Sequence, residues 1–202
     1  MSAFLGPIHY WLYHKISLQE ELIQYMLKAS LANNWDSNLE QKVDTAYGKT
    51  DIRPLESIID QKNIHGWLQE KIAQTEARLA FAVTKLLEQK PDCLPELKQT
   101  AYAFGQTHAV PKHSNADDAY QFLNDSLLDG MPCDRVNEIL ETGKEQTTWR
   151  QTRCVHHDYW NQVGGAISVY YELRCKIIEG MLSKSSLVFI SNDDGFNMIK
   201  RK

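Results

Sequence analysis

The sequence predicts an all-α protein, a helical bundle built from duplicated helix-hairpin units. Three observations carry that expectation. Apolar residues recur with a helical period along most of the chain, and alternating strand patterns are nearly absent. In addition, I-H-Y-W-L-Y-H-K-I-S-L-Q-E at 8–20 returns as I-H-G-W-L-Q-E-K-I-A-Q-T-E at 64–76, with seven of thirteen positions identical.

The first helix is read from Ile8, Trp11, Leu12, Ile16, Leu22, Ile23, Met26 and Leu27, which fall on one stripe. Pro7 suits its first turn, where a missing N–H costs nothing. A second stripe comprises Ile64, Trp67, Leu68, Ile72, Leu79, Val83, Leu86 and Leu87 and stops before Pro91. A third helix is expected around Leu94–Phe104, ending near Gly105. The fourth spans about Asp117 to Leu128, with Asn115 or Asp117 as N-cap and Gly130 closing it. A fifth is expected to open at Pro132 and a sixth to run from about Thr147 to Val163. The last follows Gly164–Gly165, with Ile167, Tyr170, Tyr171, Ile177, Ile178 and Met181 on one side.

The repeat extends beyond its first helix. Ala46-Tyr47-Gly48-x-Thr50-x-x-x-Pro54 matches Ala103-Phe104-Gly105-x-Thr107-x-x-x-Pro111, so the duplicated units cover about 7–54 and 63–111. One helical domain over 1–184 is expected, followed by a loosely docked tail over 185–202. In that tail Leu187–Ile190 could be extended and Ser191-Asn192-Asp193-Asp194-Gly195 is turn chemistry.

Composition narrows the function classes. The 22 Lys plus Arg against 26 Asp plus Glu leave a net charge of −4 and form no basic stripe, which argues against a nucleic-acid partner. Apolar runs are too short to span a bilayer, so no membrane association is expected. His9, His14, Lys15, Glu20 and Glu21 interrupt the stretch a signal peptide would need. Cys93, Cys133, Cys154 and Cys175 stand singly, without a C-x-x-C pair, and a reducing cytoplasm is the simplest compartment.

Three constellations could carry chemistry. His9 and His65 occupy equivalent positions in the repeat, each followed by a Trp, and could meet if the copies pack together. The segment W-R-Q-T-R-C-V-H-H-D-Y-W at 149–160 places Cys154 and His157 one helical turn apart, while His156 falls on the stripe of Trp149, Trp160 and Val163 and faces the core. His9, His65, Cys154 and His157 are therefore the expected metal ligands of a buried pocket holding zinc, iron or haem. Trp11, Trp67, Arg153, Trp160 and Tyr171 are the expected lining of that pocket, and the cations Arg150 and Arg153 favour an anionic organic ligand over a second metal ion. Cys133, following Pro132 at a helix start, is a candidate nucleophile for a thiol-dependent hydrolase with a His base, although Asp134 opposes thiolate formation. The third class is a non-catalytic helical adaptor presenting a groove to a protein partner.

Overall fold

The two longest apolar stripes become the two longest helices, α1 (Pro7–Ala32) and α4 (Ile64–Gln89), in the computed structural model, which describes residues 4–192 and 194–202. They lie side by side and run in the same direction. The His9 and His65 rings are 5.8 Å apart, Tyr13 and Trp67 follow at 6.2 Å, and Glu20 reaches Arg78 at 3.2 Å. Between them come α2 (Leu39–Tyr47) and the single turn α3 (Leu55–Ile58).

The chain continues through α5 (Leu94–Thr107) and α6 (Ala116–Ser126), then α7 (His157–Gln162) and α8 (Ile167–Leu182). Asn115 caps α6, its side chain accepting hydrogen bonds from the backbone N–H groups of Asp117 and Asp118 at 3.0 Å each. The closest helix pair is α5 against α8. Gly105 and Gly180 make that approach possible: a methyl on Gly105 would collide with the carbonyl of Ile177, and one on Gly180 with the carbonyl of Tyr102. The main core lies between these helices and α1 and α4, with Ile23, Met26, Val83, Leu86, Leu97 and Met181 essentially without solvent contact. A smaller apolar cluster, including Leu12, Ile16, Leu68 and Ile72, fills the space near the start of α1 and α4.

The protein is not all-α. Helices dominate, but four strands, β1 (Asn137–Glu141), β2 (Gln146–Gln151), β3 (Leu187–Ser191) and β4 (Phe196–Arg201), form an antiparallel sheet in the order β1-β2-β4-β3. The helix expected from Pro132 is a single 3-10 turn at Pro132–Asp134 that leads into β1, and the helix expected over 147–163 is β2 followed by the short α7. The tail supplies β3 and β4, and β4 is a central strand paired to β2 through Trp149↔Asn197 and to β3 through Phe189↔Ile199. Within the repeated segments α2 packs on α4 and its counterpart α5 packs on α1, each on the long helix of the other segment, and α5 packs in addition on α8.

One face of the sheet rests on the helices. Trp149 lies against Tyr120 of α6 at 4.9 Å and against Phe189 of β3 at 5.9 Å, so Trp149, Phe189 and Ile199 point inward. Among the described residues, no helix is long and apolar enough to cross a membrane.

Candidate functional site: a buried charge network beneath a cleft

Charged residues interrupt three apolar stripes at positions that must face the core. Lys15 follows Leu12 by three residues on α1, Glu76 follows Ile72 by four on α4, and Arg174 follows Tyr170 by four on α8. Lys15 and Glu76 are only 3% and 2% exposed. A charge placed there needs partners, because unpaired burial costs several kcal/mol or more.

The partners converge from three further segments and from Tyr170 of α8. His156, the residue before α7, has no solvent exposure. As an imidazolium it donates from Nδ1 to Glu76 Oε2 at 3.0 Å and from Nε2 to Tyr170 Oη at 2.9 Å, with Asp129 Oδ1 3.5 Å from Nε2. Its ring also stacks on that of Tyr170 at 4.1 Å. Tyr170 Oη accepts a second bond from Arg174 Nη1 at 3.0 Å, and Arg174 Nη2 donates to Asp129 Oδ2 at 2.9 Å. Asn137 of β1 donates to the same oxygen at 3.1 Å, which ties the sheet to the network.

Burial alone would depress the His156 imidazole. The Glu76 charge and the Asp129 contact outweigh it and push the group up to about 9. Burial likewise opposes ionisation of Asp129, but the Arg174 guanidinium, then His156 and Lys15, hold its carboxyl well below the usual carboxylate range. Burial pulls Lys15 down to about 8, against the opposing attraction of Asp129. Burial also raises the Tyr170 phenol far above its ordinary value, so it stays protonated. Two cations and two carboxylates thus balance around Tyr170, with Lys15 beside them.

A second buried cluster begins two residues further along α4 and joins helices. Arg78 pairs with Glu20 at 3.2 Å and Asp44 at 2.9 Å and also donates to the Gly48 carbonyl, joining α1, α2 and α4.

The first network does not end in the core. Asp129 and Arg174 form part of the floor of a cleft of about 810 Å³ between α6, α8 and the inner face of the sheet. Tyr120, Trp149 and Phe189 make one aromatic wall, while Tyr171 and Ile167 of α8 stand among the remaining lining residues. A cavity of this size, lined by aromatic and aliphatic side chains together with many polar and charged ones, has the dimensions of a small-molecule site.

The expected site residues do not gather in one place. Arg153, Cys154 and Tyr171 line the cleft, and Tyr171 is held above its ordinary pKa by burial and by the Cys154 thiol. His157 is exposed and pairs with Asp158 at 3.1 Å. Trp160 is core, packed at 6.0 Å from Tyr170. His9, His65, Trp11 and Trp67 stay together near the start of α1 and α4. There His9 Nδ1 accepts the Gly6 N–H at 2.9 Å, and Trp11 donates to Asp125 at 2.9 Å. Cys133 is exposed in the 3-10 turn. His108 bonds Glu21 and His157 bonds Asp158, each through one ring nitrogen. Among the described residues, no three His, Cys, Asp or Glu side chains gather to hold a metal ion.

Set against protein-family models, characterised proteins and solved structures, the chain matches none of them. The residues that sequence reasoning missed are Lys15, Glu76, Asp129 and Arg174. Their signal was present for the three helical ones: a charge on an apolar stripe. Asp129 sits in a loop and gave no such sign.

Proposed function

We propose that the protein binds a small organic molecule in the cleft between α8 and the inner face of the sheet. The observation that carries this reading is the coincidence of the cleft with the end of the buried network. Buried ion pairs contribute little net stability compared with a well-packed apolar core. Strongly perturbed groups gathered at the floor of a cavity are the signature of a functional site.

The cleft contains its own reporters. Cys154 and Cys175 line it, whereas Cys133 is exposed outside it. Three probes with one ring system, 2-naphthoate, 2-naphthamide and 2-naphthylmethylamine, are each added at millimolar concentration before N-ethylmaleimide. Mass spectrometry then follows alkylation at each cysteine. Cleft binding slows Cys154 and Cys175 and leaves Cys133 unchanged. If none of the probes slows either thiol relative to Cys133, the cleft is not a binding site.

A second reading, a metal ion at His9 and His65, is favoured by the 5.8 Å separation of their rings. Elemental analysis after incubation with zinc, nickel or copper tests it, with His65→Ala as the control. Metal retained equally by wild type and His65→Ala would exclude the pair.

A further inference from the structure

Resting on the cleft reading, we infer that its ligand is a planar organic acid whose carboxylate sits on Arg174 and whose ring lies along the Tyr120–Trp149–Phe189 wall. Arg174 has donors to spare at the cleft. A guanidinium carries five N–H donors, and Arg174 spends one on Tyr170 and one on Asp129. The remainder are free for a ligand, on a side chain that is 16% exposed and fixed by both partners. That is the condition under which an Arg offers a preorganised fork to a carboxylate.

The carboxylates of the cleft are paired in part. Asp129 Oδ2 takes bonds from Arg174 and Asn137, Glu172 takes Lys98 at 2.6 Å, and Asp194 takes the backbone N–H of Phe196 at 3.2 Å. Asp129 Oδ1, which is buried, accepts no hydrogen bond and lies 3.5 Å from the His156 imidazolium. Lys98, Arg153, Arg174 and Lys176 line the cleft, and each is paired with a carboxylate, on Glu172, Asp134, Asp129 and Glu179 respectively. A carboxylate brings less negative charge toward Asp129 than a phosphate dianion would. The wall selects the other half of the ligand. Trp149 and Phe189, their ring planes 26° apart, both line the cleft and favour an aromatic partner.

The test compares dissociation constants for the same three naphthyl probes, read by tryptophan fluorescence and checked by calorimetry. The inference expects 2-naphthoate to bind at least about ten-fold more tightly than 2-naphthamide, with 2-naphthylmethylamine the weakest. Arg174→Gln should abolish the preference for the acid over the amide. Arg174→Lys, which keeps the charge but loses the fork, should retain only part of it. Equal binding of all three probes to wild type, with Cys154 and Cys175 still protected, would overturn the acid assignment and leave the cleft standing. The wild-type comparison needs no variant, so it decides the matter even if Arg174→Gln fails to fold.

Discussion

Raising the pH from 6 to 8 should cost the protein about 1 to 2 kcal/mol of folding stability, and His156→Gln should remove that loss. The folded imidazole is held at about 9 by Glu76 and Asp129 against the cost of its burial, while an unfolded chain releases the same proton near 6.5. A group raised on folding stabilises fully below its unfolded pKa, and the contribution disappears as pH climbs through the folded one. At pH 8 the native state still holds the proton and the unfolded state has lost it, a difference of about 2 kcal/mol relative to pH 6. Lys15 acts in the opposite sense. Its amine, pulled down to about 8 by burial, is relieved as pH rises and returns less than about 1 kcal/mol by pH 8. Urea titrations at pH 6, 7 and 8 would read the remainder as a fall of about half to one molar in midpoint, taking a slope of about 2 kcal/mol per molar. His156→Gln leaves Glu76 buried without a cation and should itself cost about 3–5 kcal/mol. The double variant Glu76→Gln/His156→Gln, which replaces the pair by neutral groups, should recover much of that cost and show the same flat profile. Wild type and His156→Gln losing stability in parallel from pH 6 to 8 would refute the reasoning.

Other consequences are local. Lys15→Met keeps the packing over Trp11 but drops a buried amine, so it should raise stability at pH 7 by about 1–3 kcal/mol, a gain visible in thermal melts. Arg78→Met strands Glu20, which is 4% exposed, and should lower stability by about 3–5 kcal/mol in urea titration; Glu20→Gln/Arg78→Met should be milder than the single change. Gly180→Ala drives a methyl into the Tyr102 carbonyl and should cost about 1–3 kcal/mol or more by forcing α5 and α8 apart, read by the same titration.

How far the sequence could be read depended on the range of the forces involved. α1 and α4 were legible because twenty-six residues of stripe record burial on one side. The Asn115 cap was legible because capping is settled within three residues. The sheet was not, and its strands show why. In β4 the apolar Phe196 and Met198 fall on the outer face, while Asn197 shares the inner face with Ile199, so alternation gives the wrong sidedness. In β2 both Thr148 and Trp149 are buried, which erases alternation altogether. The Trp149–Trp160–Val163 spacing that mimicked a helix spans a strand, a loop and α7. β2 pairs locally with β1, but its other edge needs β4, some fifty residues later, and no local window contains that second pairing. At the site, the burial of His156 was inferred from that same spurious helical spacing, so periodicity did not secure it. The partnership of His156 with Glu76 and Asp129 joins three distant segments and needed the fold.

The account turns on Arg174 being presented to a ligand at the floor of the cleft. Amide and side-chain resonances of isotope-labelled protein, recorded at pH 7 as 2-naphthoate is added, test this most directly. The expected shifts appear at the Trp149 indole N–H, the Arg174 Nε–H and the backbone of 171–175 and 195–197. Shifts gathered instead around His9 and His65, or none at millimolar probe, would contradict it.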